Sequence, residues 1–420
     1  MKPLHIALLG FGTVGQGIYR SIYKHQDRLR AHFGRPVRVV AIVVRQPHIE
    51  RRVHEGVLVT HDLERVLKER DVDVVMEAIV GEEPAYTYLK RAIEHGCHVV
   101  TANKVMFAPK GRALRTLAEE KGVYVGYEAS VAGGIPVMRT LRELLRVNEV
   151  IELEGILNGT SNFILSEMRT NGSSFTSVLR EAQEKGYAEA DPTNDVEGYD
   201  AFYKLMILSE TVFGEQPVWS QVEREGITKI DAEQHELAAT LGLRLRHVGK
   251  LSPTQTGIQG EVVVSAIFED HPFYGIDGVD NAVRVQGSLV GSLLLRGPGA
   301  GGDPTASAMV EDLTNVLQLP KDAVPSPPVP KENKVETARP YALFLPHGPS
   351  LPAPYLRSGT LVPKAEGEQW KLYVLYATPA GAEEWKSALP FTRLYPILGG
   401  FEKEAARVDG RVPAANALVF

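Results

Sequence analysis

Cysteine is nearly missing. Cys97 is the only one in 420 residues, so no disulfide can form within the chain. This excludes a disulfide-stapled secreted scaffold and fits a reducing compartment. Long apolar runs are missing too, since none reaches the roughly 18 residues that a membrane span needs. The stretch LHIALLGFGTVG at residues 4–15 is short and punctuated by glycine. It reads as a buried strand and turn rather than a signal peptide. A large excess of one charge is lacking: 46 Lys and Arg face 52 Asp and Glu, a net charge of -6. No nucleic-acid or membrane partner is expected. Clustered metal ligands are scarce: His95-Gly-Cys-His98 is the one tight His/Cys group, and its spacing matches no zinc pattern. What remains is 44% apolar and 23% charged, the balance of a globular cytoplasmic protein with length for two or three domains.

An apolar run, His5 to Leu9, leads directly into Gly10-Phe11-Gly12-Thr13-Val14-Gly15. Residues 16–29 then read as a helix. Strand, G-x-G-x-x-G and helix in this order form a dinucleotide fingerprint. Gly10 allows the tight turn, Gly12 lets the backbone approach a pyrophosphate, and Gly15 lets helix and strand pack closely. The phosphate sits against the free N–H groups of the helix start. A second strand is expected at Val37 to Val44. An NAD site places an acid near its end to hold the ribose hydroxyl, but Arg45 stands there and no acid follows before Glu50. An arginine fork pairs with a 2′-phosphate, which favours NADP while leaving NAD possible.

Strands and helices alternate to residue 127, among them a helix expected over Arg112 to Lys121, in the βαβ rhythm of an open parallel sheet. Ligands of such sheets lie beyond the carboxyl ends of strands. Thr101-Ala-Asn103-Lys104 follows a strand directly, which makes Lys104 a site candidate against a plain loop lysine. Glu128-Ala-Ser-Val131-Ala-Gly133-Gly-Ile135 offers one carboxylate among accessible carbonyls. That suits a hard cation, or simply a turn between domains.

The segment AEADPTNDVEGYDAFYK, residues 188–204, places Glu189, Asp191, Asp195, Glu197 and Asp200 before an apolar helix. Calcium-loop spacing fails there, because Thr193 stands where a third-position acid is needed. The helix runs from about Gly198 to Phe213 and is apolar on nearly every side, as in a buried helix. Asp200 and Lys204 are four apart and share a face, either as an internal ion pair or with the lysine used in chemistry. A second glycine loop, Gly297 to Gly302, feeds a helix from Ala306. It either returns to the cofactor or is a flexible turn.

Together GFGTVG, TANK, EASVAGGIPV, NGTSNFIL, GYAEADPTNDVEGYDAFYKLMIL and GPGAGGDPTASA resemble homoserine dehydrogenase. The long motif is specific; the glycine fingerprint alone is not. The resemblance implies reversible NAD(P)H-dependent reduction of aspartate 4-semialdehyde to homoserine, in threonine and methionine biosynthesis. It implies Lys204 as proton donor, assisted by Lys104, with Glu189, Gly186 and Asp200 at the substrate. Phe11, Thr13, Val14, Gly15, Arg45, Lys104 and Gly301 would meet the cofactor. A monovalent cation, sodium in most members, would bind Glu128, Val131, Gly133 and Ile135. A homodimer or higher homo-oligomer is implied.

The expected fold is α/β. Residues 1–135 would form a Rossmann-type parallel-sheet domain, and 136–322 an α/β substrate and dimerisation domain. A proline-rich linker at 323–335 would lead to a divergent, degenerate ACT-like α+β domain at 336–420. There Gly348-Pro-Ser-Leu-Pro-Ala-Pro354 replaces the usual entry to the first helix, so threonine feedback is not expected. The rivals are an aspartate-semialdehyde dehydrogenase, which needs a cysteine nucleophile, and a non-catalytic NADP-sensing protein.

Overall fold

Short apolar strands alternating with amphipathic helices build the first sheet in the computed structural model, which describes residues 2–144, 147–315, 338–348 and 364–401. The strands are β1 Leu4–Leu9, β2 Val37–Val43, β3 Leu58–Thr60, β4 Val74–Glu77, β5 His98–Thr101 and β6 Val125–Gly126. All pair in parallel, in the order β3-β2-β1-β4-β5-β6. This is the doubly wound Rossmann order, whose direction reverses between β1 and β4. Leu4, Ile6, Leu8, Val74, Met76 and Val100 are buried against Ile18, Ile22, Met309 and Leu313.

Three local expectations change. The helix expected over residues 16–29 is two helices, Thr13–Lys24 and Gln26–Phe33, broken at His25, which leaves helical geometry. Strand β3 has no signature in the sequence, because three residues are too few to show a period. The helix expected from Arg112 begins at Lys104 instead. The Asn103 side chain caps it by accepting from the Met106 N–H, and the helix carries Pro109 in its interior.

The chain divides into two compact units. The first holds Met1–Leu153, Phe202–Trp219 and Val285–Val329; the second holds Glu154–Ala201, Ser220–Arg284 and Pro330–Phe420. Further strands are β7 Val150–Ile156, β8 Glu223–Arg224, β9 Leu243–Thr254, β10 Gly257–Phe268, β11 Asp280–Gly287 and β12 Gly291–Pro298. They continue with β13 Arg339–Pro346, β14 Ala365–Glu366, β15 Trp370–Ala377 and β16 Arg393–Leu398. In the second unit β9 and β10 form a long antiparallel pair. Strand β16 then joins β10 in parallel and β13 in antiparallel.

The tail strands run β16-β13-β15-β14, all antiparallel, with the helix Pro379–Ala388 before β16. That strand order, with one helix among the described residues, is the order of a ferredoxin-like sheet. One face of these strands buries Tyr341, Leu343, Leu375 and Leu394, and the other buries Phe344, Leu372 and Ile397 among Phe163, Leu165 and Leu245. The proline-rich linker and residues 349–354 lie outside the described residues. Among the described residues no helix is long and apolar enough to cross a membrane.

Candidate active site

The fingerprint turn is built as its glycines require. Gly10 has φ +89°, and a Cβ there would lie 2.6 Å from the Ala78 carbonyl oxygen at the end of β4. Gly15 has no room for a Cβ against the Gly10 carbonyl. Gly12 has nothing within 4 Å of a Cβ position, so its open side leaves space for a ligand. The helix Thr13–Lys24 starts there with no side-chain cap. Gly12 and Thr13 are exposed, Phe11 and Val14 half-buried. The turn lies at the carboxyl end of β1, beside β4, where a doubly wound sheet opens its crevice.

The second glycine loop reaches the same place. A Cβ on Gly302 would lie 2.8 Å from Thr13 Cγ2, and one on Gly17 would lie 3.0 Å from both Ala306 Cβ and the Gly302 carbonyl oxygen. The helix Gly302–Asn315 therefore packs directly on the fingerprint helix, with Gly301 exposed at its start. Arg45 is exposed just beyond β2, and Lys104 is half-buried at the first turn of the helix after β5.

The segment from Glu128 to Ile135 touches this loop: the Gly134 N–H donates to the Pro298 carbonyl at 3.2 Å. Glu128, Val131 and Ile135 are buried, and Ala132 and Gly133 take left-handed φ of 56° and 54°. The Glu128 carboxylate accepts from the Met138 and Arg139 N–H groups, at 2.9 and 2.8 Å. Burial and nearby Asp312 push its pKa up to about 7. Asp312, likewise raised by burial to about 6, accepts from the Glu128 N–H at 2.8 Å. Among the described residues no group of three or more His, Cys, Asp or Glu could hold a metal.

Lys204 lies on the helix Tyr199–Phe213, 6% exposed, among Leu205, Met206, Ile207 and Leu208. The same helix carries Asp200, 3% exposed, one turn earlier. Asn158 donates to Asp200 at 2.8 Å and to Asp195 at 2.7 Å, while its oxygen caps the helix Gly159–Asn171 at the Ser161 N–H. Thus the NGTSN and acidic motifs meet in the second unit. Three acids to which the sequence alone gives no role have one here. Asp191 accepts from Thr193 at 2.6 Å, Asp195 from Asn158, and Glu197 from Thr228 at 3.1 Å, so all three shape the loop. Gly186, φ +74°, follows the helix Phe175–Glu184, and both Gly186 and Glu189 are exposed.

Cys97 is 1% exposed, donates to the Val72 carbonyl, and its thiol is pushed up to about 11 by burial. It lacks the exposed, electropositive setting of a nucleophile. Two further residues gain a place that the motifs alone do not assign: Asn158, inside NGTSNFIL, and Glu77. The only sequence signal for Glu77 is an acid inside the otherwise apolar run from Val74 to Val80.

The model of the homoserine dehydrogenase family matches residues 136–314, and that of the homoserine dehydrogenase NAD-binding domain matches residues 10–128. A homoserine dehydrogenase of Pseudomonas aeruginosa is 42% identical over 330 residues, covering 77% of this chain and 76% of its own. The crystal structure of a homoserine dehydrogenase from Thiobacillus denitrificans superposes with a TM-score of 0.84 at 36% identity, over 95% of this chain and 99% of its own. A hyperthermophilic archaeal homoserine dehydrogenase in complex with NADPH superposes with a TM-score of 0.66 at 26% identity, over 77% and 100%.

Proposed function

We propose residue roles from one premise: the chain belongs to the homoserine dehydrogenase family, NAD(P)-dependent oxidoreductases that act on a CH–OH group of a small substrate. The observation that carries the reading is Lys204, a buried lysine one turn from buried Asp200 and followed by the apolar stretch Leu205 to Leu208. Lys204 donates the proton that the C4 oxygen of aspartate 4-semialdehyde gains on reduction, and takes it back in the reverse direction. Bound NAD(P)H supplies the hydride. Glu189 and Asp200, with Gly186, receive the zwitterionic amino acid, since an ammonium needs carboxylates. Lys104 stands by the reacting end of the cofactor and assists.

Gly10, Phe11, Gly12, Thr13, Val14, Gly15 and Gly301 hold the dinucleotide, its pyrophosphate at the start of the helix Thr13–Lys24. Exposed Arg45 beyond β2 favours NADP, with NAD acceptable. The archaeal relative's NADPH complex supports the same preference. A monovalent cation, sodium by preference, is held by carbonyls of Glu128, Val131, Gly133 and Ile135. The Glu128 carboxylate already accepts two N–H groups, and its carbonyl accepts one, from Val131 at 3.3 Å. The enzyme works in the cytoplasm as a homodimer or higher homo-oligomer, in threonine and methionine biosynthesis. Functional boundaries follow near residues 135, 322 and 335, and the tail beyond is a divergent ACT-like module without threonine feedback.

Mixing the protein with homoserine and NADP, and following the absorbance of the reduced cofactor from neutral to alkaline pH, tests the activity. Cofactor reduction that requires homoserine is expected. No turnover across that range contradicts the reading.

A further inference from the structure

Glu77 is the last residue of β4 and has no exposed surface. Its register neighbours are Leu9, which ends just before the fingerprint turn, and Thr101, which opens the TANK segment. It therefore stands at the reversal point of the sheet, at the carboxyl ends that form the crevice.

Its carboxylate closes a ring of hydrogen bonds. Oε1 accepts from the Ile79 N–H at 2.5 Å, and Oε2 accepts from the Thr101 hydroxyl at 2.5 Å. The Thr101 oxygen in turn accepts from the Asn103 N–H at 3.0 Å. The Asn103 amide nitrogen donates to the carbonyls of Ile79 and Gly81, at 3.1 and 2.7 Å. The Asn103 amide oxygen caps the helix whose first residue is Lys104, taking the Met106 N–H at 3.0 Å. The turn after β4 is thus clamped from both sides, and the clamp ends where Lys104 begins. An isolated strand-end glutamate would only cost burial; this one fixes two loops against each other.

We propose that Glu77 is a positioning residue of the dehydrogenase: through Thr101 and Asn103 it sets where Lys104 and the 78–81 turn stand toward the nicotinamide end of the dinucleotide. The proposal rests on Lys104 having the site role given above.

Full-length Glu77→Leu, Glu77→Gln, Lys104→Ala and the Glu77→Leu/Lys104→Ala double variant, assayed for kcat and both KM values with homoserine and NADP, test it. Glu77→Leu removes both acceptors at similar volume. Its kcat should fall about tenfold or more, since a displacement of about 1 Å can cost 10²-fold. Glu77→Gln keeps the acceptor for Ile79 and should recover kcat to within about threefold of wild type, one hydrogen bond to a neutral partner being the difference. In the Lys104→Ala background Glu77→Leu should cost less than about twofold more, because residues acting through one another are not additive. Should the leucine variant not fold, Glu77→Asp carries the same comparison, being too short to span Ile79 and Thr101 together. Unchanged kinetics in Glu77→Leu, or an equal loss in both backgrounds, overturns the proposal alone. Wild-type kcat in Lys104→Ala overturns the role of Lys104, and this proposal with it.

Discussion

Two buried glutamates, one in each sheet, meet opposite surroundings. Glu154 on β7 is 2% exposed and faces Arg284 at 2.8 Å, His271 at 3.1 Å and Lys250 at 3.3 Å. Burial would push its carboxyl up, but the His271 hydrogen bond and the charges of Lys250, His271 and Arg284 together bring it down to about 2. Glu77 on β4 is equally buried, yet the groups that bond it are an amide N–H and a hydroxyl. Burial there wins, and the carboxyl rises to about 7. Burial is the same in both, so the charge of the partners decides the sign. Glu154 is thereby held in one charge state, as a structural clamp. Glu77, Glu128 and Asp312, beside the cofactor motifs, have carboxyls raised by burial to about 7, 7 and 6.

The largest effect should come from breaking the clamp. Glu154→Ala removes the buried carboxylate that Lys250, His271 and Arg284 share and should cost about 3–5 kcal/mol in denaturant unfolding. The kinetic constants of the folded fraction should stay within about twofold of wild type. A cost below about 1 kcal/mol would erase the contrast between the two sites.

Next is the pH dependence, which the two carboxyls should drive in opposite directions. Glu154 has a lowered pKa, so its contribution is complete above its usual 4.5 and is lost as pH falls toward about 2. Glu77 has a raised one, so the folded state holds the extra proton. Its contribution is complete below 4.5 and is lost as pH rises through about 7. A tenfold difference in proton affinity between the folded and unfolded chain corresponds to about 1.4 kcal/mol. Unfolding of Glu77→Gln followed from pH 4.5 to about 7 should show a flatter decline than wild type. A parallel decline would mean that Glu77 does not titrate there.

The smallest effect is expected at Cys97, a titratable group raised by burial like Glu77 but far in role from the chemistry. Cys97→Ser keeps a donor for the Val72 carbonyl and should change stability by only about 1 kcal/mol, with activity intact. An inactive serine variant would bring back the cysteine-nucleophile rival.

Local patterns are legible in the sequence. The fingerprint glycines and the buried helix Tyr199–Phe213 each follow from spacing within one element or its flanks. What stays hidden depends on partners far away in the chain. Glu77 meets Thr101 across 24 residues, and Glu128 meets Asp312 across 184. Neither pairing has a periodic trace, and an acid ending a strand looks the same whether it meets a hydroxyl or an arginine. The start of the helix at Lys104 is obscured for a related reason. Pro109 and Gly111 read as breakers, while packing and the Asn103 cap hold the helix through them.

The central claim is that Lys204 performs proton transfer rather than holding the fold or the cofactor. Lys204→Ala, measured for steady-state turnover with homoserine and for NADPH binding by fluorescence, addresses it directly. Turnover should fall by about 10²-fold or more, the usual worth of a positioned proton donor, while NADPH binds as before. Turnover near wild type, or loss of turnover together with NADPH affinity, would contradict the account.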